Sequence, residues 1–135
     1  DAERLALVSS GAERLGVAVD VRPPEEAELF PWVLADVPCS NSGVLDRRPE
    51  ARWRFGDKAR ESLKAIQDDV LDRAASHTAS GGCLVYSTCA IEHAENAERV
   101  RAFMIRNEGW ALEAETERLP GPGHGGGYAA RLRLE

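Results

Sequence analysis

Apolar residues recur at helical spacing over residues 1–15, where Leu5, Val8, Ala12 and Leu15 share one face and Gly16 follows as a stop. Val17 to Val21 is a short β-branched run and reads as a strand. Pro23, Pro24 and the acidic Glu25, Glu26 and Glu28 make a surface connection after it. Trp32-Val33-Leu34-Ala35 is continuously apolar up to Asp36, the pattern of a strand buried on both faces. A polar, irregular stretch of about 20 residues follows, a length that inside a compact domain usually carries function or disorder. From Asp57, a predicted N-cap, Leu63, Ile66, Val70, Leu71, Ala74 and Ala75 form a second helical stripe.

Ser80-Gly81-Gly82 reads as the connection to the next buried strand, Cys83 to Ser87. A third helix is predicted from about His93 to Asn107, with Ala97, Val100, Phe103 and Met104 inward and Gly109 as its stop. Trp110–Glu115 and Tyr128–Leu134 are the last two strands, joined by the Gly/Pro loop of Pro120 to Gly127 in an antiparallel ending. Alternating helices and strands predict an α/β domain with a mostly parallel sheet and an antiparallel last strand. Ligands of such sheets bind beyond the carboxyl ends of the strands. Two strands end suggestively there, one in Asp36-Val37-Pro38-Cys39 and the other in Ser87-Thr88-Cys89. If they are neighbours, both thiols project into one crevice.

Composition narrows the class. The 135 residues are 43% hydrophobic and 30% charged, values of an ordinary globular domain, and fit one core. No apolar run approaches the roughly 20 residues that span a bilayer, and the first residues lack the layout of a secretory signal, so a cytoplasmic protein with no membrane partner is expected. Cys39, Cys83 and Cys89 are an odd number without CxxC spacing, which argues against a disulfide framework and against a self-contained zinc site, so no metal is expected. Cys83 alone reads as a small buried hydrophobe. His77, His93 and His124 lack partner spacing and are assigned no role.

The net charge of −6 rules out an indiscriminate nucleic-acid binder. Yet Arg47, Arg48, Arg52, Arg54, Lys58 and Arg60 crowd one segment, with Trp53 and Phe55 among them. Cations interleaved with aromatics suit a surface that tracks phosphates and stacks bases; a solvated charged loop is the plainer alternative.

Asp36-Val37-Pro38-Cys39-Ser40-Asn41-Ser42-Gly43, then Tyr86-Ser87-Thr88-Cys89 and Glu95-Asn96, resembles the Sun/Fmu family of RNA 5-methylcytosine methyltransferases. The resemblance extends through Arg47-Arg48-Pro49 and Arg52-Trp53, and is closest to bacterial members that modify small-subunit ribosomal RNA. It implies a Rossmann-like fold, S-adenosyl-L-methionine as cofactor and RNA as partner. Carbon 5 of cytosine is a poor nucleophile, and a thiolate added at carbon 6 activates it, a covalent route that splits one hard step into easier ones. By the resemblance, Cys89 supplies that nucleophile and Cys39 assists its release. Asp36 bonds the ring edge of the cytosine, and Pro38 shapes the turn beside it; both border the cofactor. Asp20 corresponds loosely to the acidic residue that contacts the cofactor's adenine, and Arg47, Arg48 and Arg52 are candidates for RNA phosphates. Taken alone, Glu95 and Asn96 read as surface and capping groups of a helix start.

The glycine-rich cofactor loop and the ribose-binding acidic residue of such enzymes are absent from the sequence. The expectation is therefore that residues 1–135 are the C-terminal portion of a single methyltransferase catalytic domain whose N-terminal strands are missing. Two of these would lie between Val17–Val21 and Trp32–Asp36, and cofactor binding by this chain alone is expected to be weak. Two other classes stay open: a non-catalytic RNA-binding module, and a thiol protein that is redox-active or binds metal.

Overall fold

The structure, a computed structural model, describes residues 2–22, 28–54 and 56–135. Helix α1 (Ala2–Leu15) leads into strand β1 (Phe30–Asp36); two short 3-10 turns, Ser42–Val44 and Pro49–Arg54, occupy the irregular stretch. Helix α2 (Asp57–Ser76), strand β2 (Thr78–Thr88), helix α3 (Ala97–Arg106) and strands β3 (Trp110–Arg118) and β4 (Gly127–Leu134) complete the order. The strands form one sheet in the order β1-β2-β4-β3. β1 and β2 are parallel, whereas β2–β4 and β3–β4 are antiparallel. The α/β architecture and the antiparallel end agree with the sequence reading, and over the described residues the sheet is mixed.

One face of the sheet carries the core. Ala35, Leu84, Tyr86, Ala130 and Leu132 alternate inward along three neighbouring strands and meet Leu71 of α2 and Val100 and Phe103 of α3. The Phe103 ring meets Trp110 edge-on at 5.4 Å between centroids, closing the core where α3 returns to the sheet.

Several sequence expectations are corrected. β1 is not buried on both faces: among the described residues it pairs only with β2, and Trp32 and Leu34 are 61% and 67% exposed on the face away from the core. Val17–Val21 is not a strand, because β propensity makes a strand only where another chain segment completes the ladder. Leu5, Val8 and Leu15 of α1 are exposed, so that helical stripe covers nothing in this structure. Gly81 and Gly82 do not precede β2 but lie within it, where residues 79–82 bulge opposite Pro31. A Cβ on Gly82 would lie 2.7 Å from the Ala79 carbonyl oxygen.

The N-cap of α2 is Gly56 rather than Asp57, which is the first helical residue. α3 begins at Ala97, later than His93, because a turn bonded from Glu95 N–H to the Glu92 carbonyl comes first. The proline connection at residues 23–26 and Phe55 lie outside the described residues.

Candidate active site: two thiols at adjacent strand ends

The parallel ladder positions the site. Ala35 pairs with Tyr86 and Asp36 with Ser87, and Val37 N–H then donates to the Ser87 carbonyl. The ladder therefore ends at Asp36 and Ser87, three residues before Cys39 and two before Cys89. Cys39 Sγ and Cys89 Sγ stand 3.1 Å apart, both half-buried, and both cysteines are free. The two thiols therefore meet, as neighbouring strands required. Ser87 Oγ donates to Asp36 Oδ1 at 3.1 Å, and the Asp36 residue at the end of β1 is exposed.

A polar network fixes the two loops to each other. Gly43 N–H donates to the Cys89 carbonyl and Gly126 N–H to the Gly43 carbonyl. A Cβ at Gly43 would stand 2.6 Å from Gly126 O and 2.7 Å from Cys89 O, so the three backbones meet only because residue 43 has no side chain. Ile91 N–H donates to Ser42 Oγ, and the hydroxyls of Ser42 and Ser40 both donate to Glu92 Oε2. Behind the Cys39 loop, Glu95 Oε2 accepts from Ser40 N–H and from Gln67 Nε2, each at 2.9 Å. The same Gln67 amide donates to the Pro38 carbonyl at 3.0 Å.

Glu95 and Asn96 are thus not surface groups, each being 1% exposed; Asn96 does stand at the N-cap of α3, but its side chain makes no capping bond. The Asn96 side chain bonds Thr88 Oγ1 and the Ala90 carbonyl, bracing the turn that carries Cys89. Tyr86 Oη donates to the Glu95 carbonyl at 2.6 Å. Burial and the nearby Glu95 charge push the Tyr86 hydroxyl well above its usual range, so it remains a donor. Gln67, unassigned from sequence, left a trace there: it is the polar residue inside an apolar stripe, four positions from Leu63 and from Leu71. Glu92 left none.

The two thiols differ. Burial first, and then the hydrogen bond with Cys89, push the Cys39 thiol up to about 12, so Cys39 holds its proton at neutral pH. Cys89 Sγ also donates to Asn41 Oδ1 at 3.2 Å, and Asn41 Nδ2 donates to the Cys39 carbonyl at 3.1 Å.

The remaining candidates lie around or away from this centre. The Pro38 ring residue is exposed while its carbonyl is tied inward to Gln67. Asp20 lies between α1 and β1, outside every strand, with its carboxylate on Arg22 Nε at 2.7 Å. Arg47, Arg48 and Arg52 are exposed on the segment after Cys39, the first two reaching Asp46 at 3.9 Å and Glu50 at 3.8 Å. Trp53 on the same segment is 87% exposed. Cys83 is buried in the sheet, as its plain reading had it.

The family described as 16S rRNA methyltransferase RsmB/F matches residues 1–128. The chain belongs to that family. Among curated RsmB/F relatives, ribosomal RNA small subunit methyltransferase B of Klebsiella pneumoniae (strain 342) is 34% identical over 95% of this chain and 33% of its own length. The Pectobacterium atrosepticum protein of the same description is 35% identical over 90% of this chain and 30% of its own. The chain thus spans about a third of the length of these relatives.

Solved structures extend the likeness. That of PH0851 superposes with a TM-score of 0.87 at 27% identity, covering 98% of this chain and 35% of that one. NSun6 from Pyrococcus horikoshii with SFG superposes at 0.82 and 27% identity, covering 99% of this chain and 39% of that one. The fold is that of Rossmann-like methyltransferases. No helix among the described residues is long and apolar enough to cross a membrane.

Proposed function

We propose that this chain carries the base-facing part of an RNA cytosine-5 methyltransferase active site, as the C-terminal portion of one catalytic domain working on small-subunit ribosomal RNA in the cytoplasm. The observation that carries this reading is the pair of free sulfurs 3.1 Å apart, at the carboxyl ends of adjacent parallel strands and beside an exposed carboxylate. The names of the curated relatives support the RNA substrate, and the SFG-bound structural relative supports an S-adenosyl-L-methionine site.

S-adenosyl-L-methionine supplies, when bound, an electrophilic methyl on a sulfonium centre. From this chain Asp36 and Pro38 would border it; a carboxylate at a parallel strand end suits a ligand that is cationic or rich in N–H groups. Asp20 would first have to exchange its Arg22 partner.

The residues of the chain divide the remaining work. As the sulfur of Cys89 gives an electron pair to carbon 6 of cytosine, its proton passes to ring nitrogen 3, and the π pair of the 5,6 bond moves to carbon 5, which takes up the methyl. Asp36 accepts from the protonated nitrogen 3 during that attack. Loss of the carbon 5 proton returns its pair to the ring, the 5,6 double bond reforms, and the bond from sulfur to carbon 6 breaks with its pair on Cys89. Cys39, which keeps its proton, gives it to the departing Cys89 sulfur and takes the carbon 5 proton in exchange, while nitrogen 3 sheds its proton to solvent, which balances the positive charge given up by the methyl donor. Arg47, Arg48 and Arg52 meet phosphates, and Trp53 offers a stacking face.

The test is trapping on denaturing gels with the whole catalytic domain, cytosine-containing RNA and S-adenosyl-L-methionine, because this chain alone is expected to bind the cofactor weakly. Cys39→Ala should accumulate a protein–RNA adduct, and Cys89→Ala should form none. The reverse pattern would mean that the roles are exchanged. No adduct with either, together with unchanged RNA binding, would favour the non-catalytic module. The same sulfur contact also suits a thiol–disulfide protein, which would cycle between oxidised and reduced forms without any adduct.

A further inference from the structure

Asn41 is the one non-glycine residue with positive φ among the described residues, at φ 61° and ψ 22°. A left-handed backbone costs about 1–2 kcal/mol for most side chains, less for Asn and nothing for Gly. Glycine would sit there unstrained, so an asparagine invites a reason in its side chain. That side chain does not cap the 3-10 turn it precedes. Its amide bridges the two reactive loops instead, with Nδ2 on the Cys39 carbonyl at 3.1 Å and Oδ1 facing Cys89 Sγ at 3.2 Å.

The geometry points to Asn41 as a fourth catalytic residue, a strut that touches the Cys89 sulfur and aims it. The Cys39 carbonyl accepts only, so it holds the amide nitrogen toward itself and leaves the amide oxygen to face the thiol. An amide oxygen accepts a thiol hydrogen but offers nothing to a thiolate. Asn41 therefore does two things at once: it fixes the direction in which Cys89 points, and it makes the sulfur slow toward reagents that arrive without the seated base. The catalytic half of this inference rests on the methyl-transfer reading above; the effect on the thiol does not.

The test compares Asn41→Gly, which keeps the backbone and deletes the strut, with Asn41→Asp, which gives up the donor to the Cys39 carbonyl but leaves a stronger acceptor beside Cys89. Alkylation of the native protein by iodoacetamide is followed cysteine by cysteine, with buried Cys83 as the control for folding. Cys89 should react about threefold faster in Asn41→Gly and about threefold slower in Asn41→Asp, the size expected of one weak hydrogen bond. A loosened loop would speed both variants, so movement in the same direction, or by less than twofold in both, overturns the proposal.

Where the wild type methylates RNA, Asn41→Gly should lower kcat about tenfold with KM nearly unchanged, because only aim is lost. An unchanged kcat would overturn the catalytic half. A whole catalytic domain that transfers no methyl group would count against the methyl-transfer reading, while the opposed alkylation rates would still decide what the amide does to Cys89.

Discussion

The two ends of the chain's first strand border two differently built regions. Beyond the carboxyl end of β1, seven polar or glycine residues — Ser40, Asn41, Ser42, Gly43, Gln67, Glu92 and Glu95 — tie the Cys39 loop to α2, to the Cys89 loop and to the glycine loop before β4. Before its amino end, α1 and residues 17–21 leave Leu5, Leu7, Val8, Leu15, Val17 and Val19 exposed. Both regions are rich in side chains that pattern rules can read. They differ in whether long-range partners exist, and partners are what turn a propensity into structure.

The strongest way to break this contrast is to remove apolar bulk from each side. Phe103→Ala in the fully buried core should cost about 4 kcal/mol. Leu7→Ala in α1 should stay within about 0.5 kcal/mol, because Leu7 is 72% exposed. Urea unfolding of the two variants measures both. A Leu7→Ala cost approaching that of Phe103→Ala would mean that α1 is packed in solution against something this structure does not contain.

A smaller effect separates the glycines. Gly43→Ala pushes a Cβ into two backbone carbonyls that cannot rotate away, and should cost about 2 kcal/mol. Gly11→Ala, mid-helix in α1 with nothing within 4 Å of the added carbon, should instead gain up to about 1 kcal/mol from helix propensity. Opposite signs for one chemical change would sharpen the comparison. A loss at both positions would erase it.

The same contrast explains what the sequence disclosed. Strands β1 and β2, helix α2 and the two cysteine motifs were legible because each is a local pattern ending at a recognisable residue. Their meeting was legible only conditionally, since it depended on β1 and β2 being neighbours. Glu95 was not legible as an interior group, nor Glu92 as a partner of serines: a carboxylate near a helix start reads as solvated until the Ser40 and Ser42 loop closes over it. Val17–Val21 failed for the opposite reason. Its β-branched residues satisfy the local rule, but no ladder receives them.

Within the thiol region, pH should weaken the protein through Cys39. Its folded value lies above the ordinary 9.0, at about 12, so its contribution to stability is complete below pH 9 and is lost as pH rises toward 12. Allowing for screening in a half-open crevice, the loss should be about 1 kcal/mol. The stability of wild type minus that of Cys39→Ser, followed by urea midpoints from pH 8 to 11, should therefore fall with pH. A difference that rises would mean that folding does not favour the protonated Cys39 thiol.

The weakest expected effect belongs to the rim of the same region. Arg52 is exposed on the 3-10 turn beside Trp53, so its loss should leave the fold unchanged. If it meets a phosphate, Arg52→Ala should weaken binding of single-stranded RNA by a factor of about three and lower the slope of log affinity against log salt by about one unit, whatever the RNA sequence. Trp53→Ala should act differently, lowering affinity while leaving the salt slope in place, because stacking releases no counterions. Should both substitutions change the slope alike, the two side chains would not divide phosphate and base between them. The basic segment would then be a solvated loop, and the well-bonded region would end at the network around the two thiols.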